Sequence, residues 1–316
     1  MVYSFVRFLL SSWKLPDDGA TLSLIALFIW YLIPDRQLMD NWKSADPAHK
    51  FLYVVLLLVP FTAAVLAVAR FLNPGGVDWI KAFRPAALSA LSFQSPYRID
   101  LFHSPPWAVL PLMPIAVFPE RIGYGINFCL SMIATGYVVY YLGGCKLAAA
   151  AVLISYPILF SSIYGNIDWL VYLGMILPPR WGLFFVSIKP QTGIGMEVFW
   201  LVEGYRERRL IEVVKRFGPI TAATILSFII FGWWPAASFS LSGKLHDASL
   251  WPHSLPIGLV LLVSSVKSED PGLALASSPF FSPYVAPSSW GSAIVGLVPR
   301  DLETVSAAAS TWVLRF

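Results

Sequence analysis

The chain has 316 residues, 57% hydrophobic and 13% charged, with a net charge of +4. Soluble domains carry about a quarter charged residues, so this composition, with 13 Trp and 22 Phe, excludes an ordinary soluble enzyme and indicates a polytopic membrane protein. The basic residues gather in one stretch, so the positive balance does not indicate a nucleic-acid partner.

In chain order, the N-terminus MVYSFVRFLLSSWK has only a short apolar stretch with no small-residue cleavage site after it, and is expected to be retained. Apolar runs follow at 20–33, 51–72, 107–118, 123–142, 147–163, 166–178, 181–202, 219–239, 254–266 and 272–297, with a weak one at 303–316. A full span needs about 20 apolar residues, so several runs are half-spanning or broken, which a bilayer tolerates only where the backbone is covered by protein. Pro60, Pro111, Pro157, Pro190 and Pro279 lie inside such runs, and 25 prolines overall suit interrupted helices. The expected fold is all-α: one transmembrane domain over 1–316, with about nine to eleven spanning or half-spanning helices. Cys129 and Cys145 sit in or beside apolar runs and read as packing residues, not as a disulfide or metal pair.

Orientation comes from 203–217, EGYRERRLIEVVKRF, which holds Arg206, Arg208, Arg209, Lys215 and Arg216 and is expected to be a cytoplasmic loop. Working backwards, Lys146 and Arg180 mark cytoplasmic turns, and the 34–50 connector is cytoplasmic too. The 73–119 loop, Asp78 and the Gly165-Asn166 turn then face the other side. This requires the Pro-rich run at 104–119 to lie along the surface without crossing.

Two polar features interrupt the apolar pattern. Asp78 lies just beyond the 51–72 run, and a carboxylate at the mouth of a span is a functional candidate by default. Lys189-Pro190-Gln191 breaks another apolar segment. Each has a plain competitor: Asp78 as the cap of a helix starting at Trp79, and Lys189 snorkelling to the interface. Arg84 and Arg98 either bind an anion or solvate a surface helix. Asn166 and Asp168 either line a cavity or make a polar turn. His103 and His253 lack a second ligand at metal spacing and read as structural or substrate-contacting. Trp79, Trp107 and Trp290 belong to interfacial belts or stack on a ligand ring.

Three stretches, in order, resemble the polyprenyl-phosphate-sugar-dependent mannosyltransferases of the glycosyltransferase C superfamily. They are Asp78 through the Pro96-Tyr97 turn, His103-Ser104-Pro105-Pro106 through Pro114, and Gly165-Asn166-Ile167-Asp168 with Lys189-Pro190-Gln191. Ser282-Pro283-Tyr284 and Ser289-Trp290 are a weaker echo. The similarity covers roughly residues 50–295; no single motif is specific, but their order and spacing together are. It implies a bundle with surface-lying helices in the first large extracytoplasmic loop and Asp78 as general base. For Lys189 it suggests a recurrent position.

The implied reaction moves a hexose, mannose in that family, from a polyprenyl-phosphate donor to a lipid or glycan acceptor at the extracytoplasmic face of the plasma membrane. Such a transfer needs a base for the acceptor hydroxyl and cations for the departing phosphate, which Lys189, Arg84 or Arg98 could supply. His103, Asn166, Asp168 and Gln191 complete the candidate substrate contacts. No Gly-rich phosphate loop and no nucleotide-sugar Asp-x-Asp motif is visible. No dedicated metal site is visible either, although one Asp with phosphate oxygens can hold a divalent cation. Two other classes stay open: a lipid or anion transporter, against which stands the lack of an internal repeat, and a catalytically silent subunit with partners in a membrane complex.

Overall fold

A computed structural model describes residues 46–72, 76–236, 247–298 and 300–313. The N-terminal stretch, the 20–33 run and most of the 34–50 connector lie outside the described residues. Within them every regular element is helical, in agreement with the all-α expectation.

Helix α1 (Pro47–Phe71) is capped by Asp46, whose carboxylate accepts from the His49 N–H at 2.8 Å. A π-helical turn over Trp79–Phe83, α2 (Arg84–Leu91), 3-10 turns at Pro96–Arg98 and Pro106–Leu112, and α3 (Met113–Ala116) follow. None of these pieces can cross a bilayer, as the surface-lying 104–119 run requires. Helix α4 (Glu120–Tyr141) packs on α1. Helices α5 (Lys146–Leu153) and α6 (Tyr156–Tyr164) divide one apolar run and bend by 53°. The bend falls just before Pro157, where the ring cannot continue the ladder.

Helices α7 (Asp168–Met175) and α8 (Pro179–Val186) form a tight hairpin: a Cβ on Gly182 would stand 2.4 Å from the Gly174 carbonyl oxygen. Eight residues each rise about 12 Å, so this pair reaches only part-way across a bilayer. The reading of Arg180 as a cytoplasmic turn assumed full crossings that these helices are too short to make.

The 181–202 run is not one helix. It breaks at Lys189, which is extended (φ −136°, ψ 95°), and α9 (Pro190–Phe231) starts anew with Pro190 in its first turn. The expected loop at 203–217 is also corrected: it is helical except for Arg208 and Arg209, which leave helical geometry. There α9 folds back on itself, since the Arg216 guanidinium reaches the Trp200 carbonyl and the Glu203 carboxylate. The chain ends with α10 (Leu255–Ser268), α11 (Pro271–Ser277), α12 (Gly291–Gly296) and α13 (Asp301–Ser310). The 272–297 run is thus broken in the middle, around the Ser282-Pro283-Tyr284 turn.

Among the described residues two helices, α4 and α9, are long and apolar enough to cross a membrane, and a third span results if the bent α5–α6 pair counts as one. Leu57, Leu58, Val59 and Leu66 of α1, Ile229 and Ile230 of α9, and Val260 and Val263 of α10 stand exposed. So much unburied aliphatic surface on helix flanks suits a hydrocarbon solvent. The bundle has two unlike ends. Gly165–Asp168 and Lys189 share one. At the other lie Lys146, the Arg208–Arg209 break, tied to α10 by Arg206 donating to the Val266 carbonyl (2.7 Å), and the Arg300–Asp270 ion pair. Cys145 is at that end and is exposed rather than packed; its sulfur accepts from the Ala148 N–H and caps α5, and its own N–H donates to Asp301. Cys129 is buried, as expected.

Candidate functional site

Four of the singled-out residues converge. The Asp78 Oδ2 accepts from the Asn166 amide nitrogen at 2.8 Å, across 88 residues of sequence. The Asn166 Oδ1 accepts from the Lys189 ammonium and from the Ile167 N–H at 2.7 Å. With its oxygen doubly engaged, the amide can present only its nitrogen to Asp78. Lys189 also pairs with Asp168 Oδ1 at 3.0 Å. Two of its three donors are thereby placed, and among the described residues the third has no partner.

The plain readings of these residues do not hold. Asp78 precedes the Trp79 turn but makes no capping bond with its side chain. Lys189 does not snorkel; it is 8% exposed, and Asp168 is 0% exposed. Asp168 is enclosed: Ser161 Oγ donates to its Oδ2 at 2.9 Å and Thr192 Oγ1 to its Oδ1 at 3.4 Å. With those partners and Lys189 it is the buried counter-ion of the ammonium, not an open ligand for substrate or metal. Asp78 is only half-buried, and among the described residues its second oxygen accepts no hydrogen bond.

The electrostatics of Asp78 follow from this setting. Burial is the largest influence and raises its pKa above the usual carboxylate value; the Lys189 charge lowers it, Asp168 raises it, and the Asn166 hydrogen bond lowers it. The Tyr284 phenol is pushed up to about 12, first by burial and then by the negative charges of Asp247, Asp78 and Asp168. The Ser282–Tyr284 turn therefore faces the same carboxylates. Asp247 is held beside it, accepting from the Val285 N–H at 3.1 Å.

The local fold explains the convergence. Gly165 ends α6 in a left-handed conformation (φ +73°), with its N–H on Ser162 and the Asn166 N–H returning to the Ser161 carbonyl. This turn presses on the start of the Trp79 turn: a Cβ at Gly165 would lie 2.6 Å from the Trp79 Cβ. Tyr124 on α4 ties the same corner by donating to the Ile163 carbonyl at 2.7 Å. Gly165→Ala is accordingly expected to cost about 1–2 kcal/mol for the left-handed backbone, and more for the contact with Trp79. Thermal unfolding of the variant checks this, and a wild-type melting temperature would contradict the tight approach.

Other expected contacts lie elsewhere. Arg84 donates to the Phe118 carbonyl (3.2 Å) and Arg98 to Gln94 (2.9 Å), so each ties down the 84–118 segment. The His103 pKa is lowered by burial, against the pull of Asp100. Gln191 lies in the first turn of α9, two residues beyond Lys189, and among the described residues its side chain makes no hydrogen bond. Trp79 is fully buried and Trp290 is 8% exposed and bonded to the Ala248 carbonyl, so neither can stack on a ligand; Trp107 is spent on the Phe184 carbonyl at 2.9 Å. Ser161, Thr192 and Asn127 belong to the polar layer but were not singled out from sequence. Asn127 accepts from Trp169 at 3.2 Å and so orients the start of α7. Small hydroxyls inside apolar runs carry little signal, although Thr192 stands one turn beyond Lys189.

Among the described residues no three His, Cys, Asp or Glu side chains gather as a metal site. No family model, curated protein or solved structure matches this chain.

Proposed function

We propose that the chain is a multi-pass membrane glycosyltransferase that moves a hexose, with mannose favoured, from a polyprenyl-phosphate donor to a lipid or glycan acceptor. The observation that carries this reading is the half-buried Asp78 carboxylate, anchored by one oxygen through Asn166 to a buried Lys189–Asp168 pair. Asp78 takes the proton of the acceptor hydroxyl as that oxygen bonds to the anomeric carbon. The bond from the same carbon to the phosphate oxygen breaks, and the lipid phosphate leaves with the electron pair. One displacement on one base inverts the anomeric centre. The unplaced N–H of Lys189 is suited to the growing phosphate charge. The basic end of the bundle lies opposite, which under the positive-inside rule supports a reaction on the extracytoplasmic face.

The test is transfer itself. The purified chain in liposomes is given labelled polyprenyl-phosphate mannose and glucose with membrane extract as acceptor. A labelled product with inverted anomeric configuration supports the reading, whereas no transfer from any lipid-phosphate sugar leaves a silent subunit.

The raised Asp78 pKa fixes a pH dependence. Because the carboxylate is the base, kcat/KM rises with pH through a limb placed above the ordinary carboxylate range of about 4. Asn166 and Lys189 both lower this pKa, so Asn166→Ala moves the limb to higher pH. Stability has the opposite sign. A carboxyl whose folded pKa is raised contributes stability below its unfolded pKa and loses it as pH rises through the folded pKa. A pH–rate profile with no limb above that range would exclude Asp78 as the titrating base.

A further inference from the structure

At the basic end, the hairpin of α9 separates its charges by sign. Arg216 is 8% exposed and gathers three carboxylates: Glu203 at 2.5 Å, Glu207 at 2.7 Å and Glu212 at 3.5 Å. Gly204 makes room for it; a Cβ there would stand 3.2 Å from the Arg216 Cδ. The acidic side chains of the hairpin are thus turned onto one inward cation. The outward cations are left over: Arg208 and Arg209 are exposed, and among the described residues neither pairs with a carboxylate. Arg209 lies over the Tyr205 ring at 5.3 Å, and Lys215 has only a loose contact with Glu212 at 3.8 Å. Beside them Leu210 is 68% exposed and Ile211 and Val214 are each 66% exposed.

We infer that this hairpin is a binding site for the acidic phospholipid headgroups of the cytoplasmic leaflet. Uncompensated guanidinium groups meet the lipid phosphates, while Leu210, Ile211 and Val214 enter the acyl boundary directly beneath them. Charge complementarity selects the partner. A solvated turn would leave its carboxylates free to neutralise Arg208 and Arg209, and a protein groove would not need an aliphatic patch at acyl depth. The inference stands apart from the transfer reaction and does not rest on it.

Native mass spectrometry of the full chain, from nanodiscs of mixed phosphatidylglycerol and phosphatidylcholine, tests it. The wild type is expected to retain phosphatidylglycerol preferentially, and the Arg208→Gln/Arg209→Gln variant to lose that preference by roughly tenfold or more. Arg208→Lys/Arg209→Lys, which keeps the charges, should retain it. Melting in pure phosphatidylcholine should be the same for all three, which shows that the fold is intact. If the glutamine variant does not fold, Lys215→Gln gives a smaller loss of the same sign. Equal retention of both lipids by wild type, or an unchanged preference in the glutamine variant, would overturn the inference. Displacement of the lipid by inorganic phosphate would do so too, because the site would then be a free-anion site.

Discussion

Asp78→Asn is expected to transfer sugar at least ~100-fold more slowly than wild type, while melting no lower at neutral pH. The two halves of this result come from the same geometry. An asparagine at 78 still offers an oxygen to the Asn166 amide nitrogen, so the 2.8 Å bond between the two segments has a replacement. It cannot take a proton, and loss of a general base typically costs 10²–10⁴-fold, roughly 3–5 kcal/mol of barrier. Burial disfavours the charged carboxylate, so a neutral amide of the same shape relieves that penalty. A cap or anchor would behave differently, leaving the rate alone, because asparagine serves either role as aspartate does. Product formation from lipid-phosphate sugar, measured beside thermal unfolding, separates the cases. A variant with the wild-type rate would show that Asp78 only ties the Trp79 turn to Asn166. Asp168 is then a poor successor, because Ser161, Thr192 and Lys189 already enclose it.

The residues that could be picked out from sequence are those whose chemistry conflicts with their surroundings. Asp78 and Lys189 interrupt apolar segments, and a charge there has few explanations. Their connection could not be read. It depends on Gly165 adopting positive φ and on a contact that spans 88 residues, and neither leaves a periodic trace. The same limit applies to Arg84 and Arg98, which the sequence leaves open between an anion and a solvated surface helix. A basic residue beside a membrane attracts a phosphate reading, but whether a carbonyl such as that of Phe118 lies within reach is a tertiary fact.

Other errors had visible causes. The 203–217 stretch read as a loop because of its charge density. Yet Glu203 and Glu207, and again Glu212 and Arg216, are each four residues apart, helical spacing on either side of the Arg208–Arg209 break. The break at Lys189, by contrast, was legible, since Pro190 disfavours a helical residue before it and favours a new first turn after it.

The last expectation concerns the buried pair behind Asp78. Asp168→Asn leaves the Lys189 ammonium with only the Asn166 oxygen and a distant share of Asp78, at 8% exposure. Removing one partner of a buried ion pair costs about 3–5 kcal/mol, mainly because the remaining charge is stranded. Lys189→Met strands Asp168 in the same way and adds its repulsion toward Asp78, which Lys189 otherwise offsets. Removing both charges is different in kind. The Asp168→Asn/Lys189→Met double variant has no stranded ion, so its loss should fall short of the summed single losses by about 1–3 kcal/mol. Chemical unfolding of the four proteins in one detergent gives this coupling directly, and additive losses would show that the 3.0 Å pair is not a unit. Activity should not follow stability. The double variant recovers the fold but lacks the ammonium proposed to meet the departing phosphate, so it should remain slow even where it is as stable as wild type. A double variant that is both stable and fast would assign Lys189 a purely architectural role and leave the phosphate to some other cation.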